Sequence, residues 1–245
     1  MSLNATLRAY LSPANLMWTV VIPIVLSAVI SLWMSGENAS PWAIEGIAFE
    51  TPRGERASGE VSWVSRVFGI YLISAFSVMI TRAGAIHDEA RRGTLQRTLV
   101  TGVPHWEIIA AHVASLVLVG LIQACLFVAA TGALGTPWFI TGWASVVLPV
   151  VGAIIAAAGL AIGIAGLVHS AGLLQILAGG GPSVLAMLGG AFFPVEVIPG
   201  GVQRLAVINP VYWAMETLNG GFVYNGLSSQ ATPLAILLLI GVTGM

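Results

Sequence analysis

The residues able to do chemistry are few, and most lie in one stretch. Asp88, Glu89, Arg91, Arg92, Arg97, His105 and Glu107 fall within "DEARRGTLQRTLVTGVPHWE", in a chain of 245 residues with only 8% charged side chains. Hydrolysis by a nucleophile would need a Ser or Cys beside a base. Ser183 in "GGPSV" and His169 could form such a dyad inside a bilayer, although a Ser next to a helix-breaking Gly-Pro pair more often bonds backbone. Metal-assisted chemistry has little to work with. The H-E-x-x-H pattern is absent, no two His sit at ligand spacing on one helix, and Asp88, the sole Asp, lacks the partner carboxylates of a metal-dependent transferase. All the basic residues are Arg, at positions 8, 53, 56, 66, 82, 91, 92, 97 and 204. Without Lys there is no Schiff-base chemistry and no P-loop, whose Lys must reach the nucleotide phosphates. Cys125 is alone in an apolar run, so it offers no intrachain disulfide and no cysteine cluster, and it reads as a small lipid-buried residue. No catalytic residue, metal ligand or cofactor is therefore expected in this chain.

The elements that hold these residues are apolar. Hydrophobic residues make up 57% of the chain and the mean hydropathy is +0.94. An average soluble domain carries roughly 25% charge, so this chain belongs in a bilayer. Crossing about 30 Å of hydrocarbon takes about 20 helical residues. Five runs reach that length, at 16–35, 61–81, 108–134, 143–168 and 173–193. A sixth, at 233–245, has 13 residues and is too short to cross, which predicts that the natural chain or a further ordered segment continues beyond Met245. Trp18, Trp33, Trp63, Trp106, Trp138 and Trp143 fall near the ends of these runs, where an indole favours the headgroup level. The opening "MSLNATLRAYLSPANLMW" lacks a basic n-region and a small-residue cleavage pattern, so it reads as part of the mature protein.

Arg placement sets the orientation. With the amino terminus inside, Arg8, Arg82, Arg91, Arg92 and Arg97 are cytoplasmic, and Arg53, Arg56 and Arg204 are outside. The flipped arrangement would put the densest Arg cluster outside. The Glu-rich loop 36–60 and the segment 194–232 then face outward. Gly179, Gly180, Gly181 and Pro182 stand inside the fifth run, where a helix is expected to kink or locally unwind. After it, "FFPVEVIPGGVQRLAVINPVYWAMETLNGG" is apolar, but Pro194, Pro199 and Pro210 cut it into pieces too short to cross. Irregular backbone at membrane depth must be packed against protein or line a wet cavity, so a re-entrant segment over about 194–225 is expected. The plainer alternative is an external loop with two surface amphipathic helices.

A channel or secondary transporter would want ionisable groups at mid-span. Arg66 and His112 lie near opposite membrane faces and read as snorkelling side chains. Gln123 and Gln175 read as hydrogen-bonding glue between helices. "GLAIG", Gly159 to Gly163, has the small-xxx-small spacing that lets helices approach, but a chain with 29 Gly produces such matches by chance.

The charged stretch itself reads as a short helix over residues 87–101. Asp88 precedes Arg91 and Arg92 by three and four positions, a favourable acid-before-base spacing, and Leu95 and Leu99 share a face. Gly102 and Pro104 end it, and Pro104 can open the next helix. A loop that merely kept Arg inside would not need this organisation.

These residues resemble the ABC-2 type transporter permeases. "DEARRGTLQRTLVTGVPHWEII" is similar to the loop between that family's second and third spans, with Glu89, Arg92, Gly93, Thr94 and Leu95 at the loop motif and Trp106 and Glu107 at the pair that follows. "FFPVEVIPGGVQRLAVINPVYWAMETL" is similar to its re-entrant segment before the last span. Gln96 departs from a common Glu, Gly102 from a Pro, Pro104 from a Ser or Thr cap, and His112 from a nearby Lys. Residues 4–15 faintly resemble the family's amphipathic interface helix.

The resemblance implies an all-α membrane protein, multi-pass in the cell membrane with a cytoplasmic amino terminus. It would have six transmembrane helices, an amphipathic N-terminal helix, a cytoplasmic coupling helix and an external re-entrant segment. It implies docking of a separate ATP-binding subunit, in two copies and carrying ATP and Mg, at Glu89, Arg91, Arg92, Gly93, Thr94, Leu95 and Leu99. A second permease, identical or homologous, would complete the path, with membrane lipid around it and no nucleic acid. Pro194, Glu196, Pro199, Pro210 and Glu216 would shape the external gate, and Gly180, Gly181 and Pro182 the helix break. The expected activity is export of a hydrophobic or amphipathic substrate, drug or lipid-like, since the spans offer apolar walls and little charge. The alternative is a secondary transporter or channel without an ATPase.

Overall fold

The computed structural model describes residues 21, 25, 59–91, 93, 100, 102, 104–136, 138–139, 142–168, 170–191, 195, 200–222 and 227–245. The expected N-terminal helix, nearly all of the first span and residues 36–58 lie outside them. Among the described residues the regular structure is helical: α1 Gly59–Ala83, α2 Ala85–Arg91, α3 His105–Ala133, α4 Ala144–Leu167, α5 Ala171–Leu188, α6 Gly200–Ala206, α7 Pro210–Phe222 and α8 Leu227–Gly244. Among the described residues, three helices are long and apolar enough to cross a membrane: Val64–His87, His105–Ala133 and Ala144–Leu167. Gly172–Leu188 and Ser228–Gly244 are shorter apolar helices.

The direction of each helix follows from side-chain bonds at its ends. Ser65 at the start of α1 donates to Asn219 Oδ1 of α7 (3.1 Å), Ser145 at the start of α4 donates to Gly221 O (3.4 Å), and Gln230 at the start of α8 donates to Thr217 O (3.0 Å). The last turn of α5 meets the same region, because Asn209 Nδ2 donates to Leu185 O (2.6 Å). So α1, α4 and α8 run from the α7 end of the molecule to the α2 end, and α3 and α5 run back. The result is an antiparallel bundle with a short buried helix lodged at one end.

Helix α1 is the axis. Val64, Phe68, Tyr71, Leu72, Ala75, Phe76, Met79 and Ile80 are all buried, against α3, α4, α5 and α7. Helix α3 lies at the periphery. It buries one stripe, Leu116, Val119, Gly120, Gln123, Ala124, Phe127 and Thr131, at the three-and-four spacing of a helix face. Ile109, Leu118, Leu121 and Leu126 point outward, as does Cys125. Lipid tails are as apolar as Leu, so such residues lose nothing by facing out, and close packing rather than water exclusion selects the buried face. Small residues accordingly line the α4–α8 contact. A Cβ on Gly159 would fall on the backbone of Gly241, and one on Gly163 would lie 3.0 Å from Gly244 O. The "GLAIG" spacing is therefore a real helix contact.

The structure places three features of the predicted runs. Helix α5 runs from Ala171 to Leu188 through Gly180, Gly181 and Pro182. Pro182 removes one backbone donor from within the helix, a local loss that the flanking turns on either side span. Trp138 is not an interfacial indole. It is 2% exposed, donates Nε1–H to Thr131 Oγ1 (2.9 Å) and meets the Phe127 ring edge-on at 6.4 Å. Trp106 and Trp143 are exposed at opposite ends of the bundle, as an aromatic belt requires. The last helix begins at Leu227 rather than Pro233, with Pro233 inside it, adding a turn and a half to the predicted run.

Candidate functional site

Two places have the geometry of working parts: the junction of α1, α2 and α3, and the α6–α7 hairpin at the opposite end. Neither holds a catalytic constellation, and no group of three or more potential metal ligands occurs among the described residues. Ser183 is exposed on α5, about 20 Å of helix beyond Ser170. His169 lies outside the described residues.

At the first junction, α1 stops at Ala83 and the chain turns at Gly84, with Gly84 N–H donating to Thr81 O (3.2 Å) and His87 N–H to Gly84 O (3.0 Å). Helix α2 therefore leaves α1 with no slack between them. Two histidines then fasten it. His87 Nε2 lies 2.5 Å from Val168 O, just past the end of α4. A carbonyl oxygen only accepts, so His87 Nε2 carries the proton. Glu89 Oε2 lies 3.4 Å from His112 Nε2 on α3, and His112 Nδ1 sits 2.9 Å from Ile108 O. Both partners are mostly shielded, at 18% exposure for His112 and 24% for Glu89. His112 thus braces the junction instead of snorkelling to a headgroup. Sequence reasoning missed this role because nothing in a single chain shows that residues 89 and 112 face each other across an antiparallel turn.

The predicted helix over 87–101 is divided. Helix α2 ends at Arg91, and Gly93 takes φ +69°, a left-handed turn that a residue with a Cβ adopts only at a cost of about 1–2 kcal/mol. Gly102 repeats the device at φ +82°, and extended Pro104 immediately precedes α3. Of the expected docking residues, Glu89 and Gly93 are placed and Arg91 closes α2, while Arg92, Thr94, Leu95 and Leu99 lie outside the described residues. Trp106 and Glu107 stand exposed on the first turn of α3.

At the other end, α7 is packed among the bundle helices rather than spread on a surface. Val211, Ala214, Met215, Thr217, Leu218, Gly220, Gly221 and Phe222 are buried against α1, α4, α5 and α8. Asn209 sets its start. Its Oδ1 accepts from Val211 N–H (2.9 Å) as a helix cap, and its Nδ2 reaches Leu185 O. Trp213 Nε1–H closes the hairpin onto Val207 O at 2.7 Å. Of the expected gate residues, Pro210 opens α7 and is buried, and Glu216 is half-buried within it. Pro194, Glu196 and Pro199 lie outside the described residues. The local signal for the cap is the Asn-Pro pair at 209–210, a capping residue followed by Pro at the first helical position.

Among the described residues, two polar side chains inside the bundle are joined across helices. Gln123 Nε2 donates to Ser74 Oγ (3.1 Å) across α1 and α3, and Ser74 Oγ donates to Tyr71 O (2.9 Å). Gln175 is exposed on α5.

The family described as ABC-2 type transporter matches residues 3–223 of the chain. A linearmycin resistance permease protein, LnrN, of Bacillus subtilis is 28% identical over 182 residues, which cover 71% of this chain and 46% of that protein. The chain thus spans about half the length of that relative. No solved structure matches it.

Proposed function

The chain belongs to the ABC-2 type transporter family and is a membrane transport subunit, and from that premise we propose that it is the permease of an ATP-driven exporter. In this reading the substrate is hydrophobic or amphipathic, and the energy comes from two copies of a separate ATP-binding subunit that carries ATP and Mg. A second permease, identical or homologous, completes the path. The amino terminus is cytoplasmic, which places α2 inside the cell and the re-entrant α6–α7 hairpin outside. The observation that carries the reading is the mounting of α2. It is joined to α1 without slack and pinned to α3 by Glu89 and to α4 by His87. A push on α2 would move three helices as one body, which is what coupling ATPase closure to a rigid-body transition of the bundle requires. The absence of Lys supports an external ATPase, since this chain has no P-loop. A resistance permease among its relatives fits efflux of a harmful amphipathic compound. The α7 wedge and the chain leading to it would form the outer gate, with Pro210 and Glu216 inside it.

The test is reconstitution with candidate P-loop ATPases. A partner should co-purify, and amphipathic drugs or lipids should stimulate ATP turnover in proteoliposomes. Gly93→Asp should abolish that stimulation. A chain that binds no such ATPase and moves solute only along an ion gradient would overturn the reading in favour of a secondary transporter.

A further inference from the structure

Glycine is a poor helix former, so a glycine inside a helix asks for a reason. For Gly120, Gly152, Gly159, Gly220 and Gly241 the reason is packing, because a Cβ on any of them would come within 3.0 Å of another helix. The run Gly179, Gly180, Gly181 in α5 has no such reason. A Cβ at each of the three would meet nothing within 4 Å. Yet they stand together in the middle of an 18-residue helix, directly before Pro182.

Pro182 sets the direction in which this place gives. It has no N–H for Ala178 O, and its ring crowds that carbonyl, so the helix opens on the side that carries residues 178 and 182. That side faces α1: Leu174, Ala178, Pro182 and Ala186 form the buried stripe of α5. Bending is therefore directed towards the opposite face, where Ile176, Gly179, Gly180 and Ser183 are exposed. The turns crowd together on the inside of a bend. Two residues without side chains stand there.

The two halves of α5 are held by different parts of the molecule. Towards the α7 end, Leu185 O accepts from Asn209, a Cβ on Gly189 would lie 2.8 Å from Val211, and one on Gly69 would lie 2.8 Å from Ala191. That half is tied to both α7 and α1. Towards the α2 end, fully buried Leu174 sits on the turn that joins α1 to α2, its Cδ2 3.2 Å from where a Gly84 Cβ would be. His87 of α2 donates to Val168 O, just before α5 begins. That half is tied to the mounting of α2.

We propose that α5 is hinged at Gly179–Pro182: its α7-side half stays fixed, while its α2-side half swings away from α1, leaving the closed position that Leu174 holds on Gly84. What the hinge serves rests on the proposed function. With α5 swung off α1, a gap opens from the α2 side by which an amphipathic substrate would enter.

The hinge itself is tested on the permease alone. Ile176 on the α2-side half, Val184 on the α7-side half and Val147 on α4 are exposed and can carry nitroxides. In a Cys125→Ala background, pulsed electron resonance in lipid nanodiscs should give a broad or two-peaked distribution for Ile176→Cys with Val147→Cys. Val184→Cys with Val147→Cys should give a narrow one. Combining Gly179→Ala, Gly180→Ala and Gly181→Ala should narrow the first pair to a single distance and raise the thermal midpoint by about 2–4 °C or more. Gly166→Ala, at an equally open glycine of α4, should leave the first distribution broad. Leu174→Ala should shift it towards the distance that the three alanines remove. In the reconstituted complex, the triple-alanine protein should bind the ATPase and lose substrate-stimulated ATP turnover. Full stimulation in that variant would overturn the part of the hinge in transport. Failure to find an ATPase would count against the proposed function, and the distances would still decide the hinge. Equal widths for the two pairs in the native sequence would overturn it, as would a triple-alanine protein whose Ile176 distribution stays broad. A triple-alanine protein that unfolds at a lower temperature would assign the glycines to close packing against another chain and overturn the hinge equally.

Discussion

Gly159 of α4 and Gly241 of α8 face each other backbone to backbone: a Cβ on Gly159 would land on the carbonyl oxygen of Gly241. Within a bilayer this matters more than hydrophobicity, because close approach supplies the dispersion contacts that hold helices together. Gly159→Val should therefore cost about 1–3 kcal/mol or more, as overpacking does. Gly166, with nothing within 4 Å of its Cβ position, is the control, and Gly166→Val should be far milder. Thermal unfolding in detergent separates the two, and equal losses would remove the α4–α8 contact as the cause.

Asn209 does two jobs with one side chain, capping α7 and bonding Leu185 O of α5. Asn209→Ala should cost about 1–2 kcal/mol from the lost cap alone. Asn209→Asp keeps the capping oxygen but turns a charged acceptor onto Leu185 O in a buried site, so it should cost at least as much as Ala. The same order is expected in limited proteolysis of the α6–α7 hairpin. Loss of protection spread over the whole bundle would contradict a local cap.

Trp138 closes the turn between α3 and α4 by bonding Thr131 and packing on Phe127. Trp138→Phe keeps most of the packing and drops the bond, for a loss of about 0.5–1.5 kcal/mol. Trp138→Ala should cost about 3–5 kcal/mol. Were Trp138 an interfacial anchor instead, its indole fluorescence would be quenched readily by water-soluble quenchers. It should be the least quenched tryptophan when compared, in single-Trp variants, with Trp106 and Trp143.

The Gln123–Ser74 bond joins α1 to α3. Interhelical bonds of this kind average about 0.6 kcal/mol in membranes. A double-mutant cycle with Gln123→Leu and Ser74→Ala should give a coupling of about that size. Zero coupling would mean the two side chains act independently.

Gly93 has open space around its Cβ position, so its role is conformational. Gly93→Ala should cost about 1–2 kcal/mol through the left-handed turn alone. Gly93→Asn, which tolerates that turn, should recover part of the loss. If Ala and Asn behave alike in unfolding, the turn is not what Gly93 supplies.

Much of this protein is written locally in its chain. Apolar runs of spanning length need no partner to be recognised, because every buried backbone group in a bilayer must be satisfied within its own helix. The charge cluster between two such runs, the left-handed Gly93 and Gly102 and the Pro before α3 are equally local, which is why the loop was recognisable even though its helix ends at Arg91 rather than continuing to Thr101. What remained hidden was pairing. Leu residues face both the core and the outside of α3, since lipid and protein interior are equally apolar, so hydrophobic periodicity does not say which face turns inward. Only the tertiary structure sets Gly159 on Gly241, buries Trp138 at the end of a run where an interfacial indole was expected, threads α7 between four helices and brings His112 to Glu89. Each of these depends on two segments far apart in the chain meeting at contact distance. No single segment carries that information.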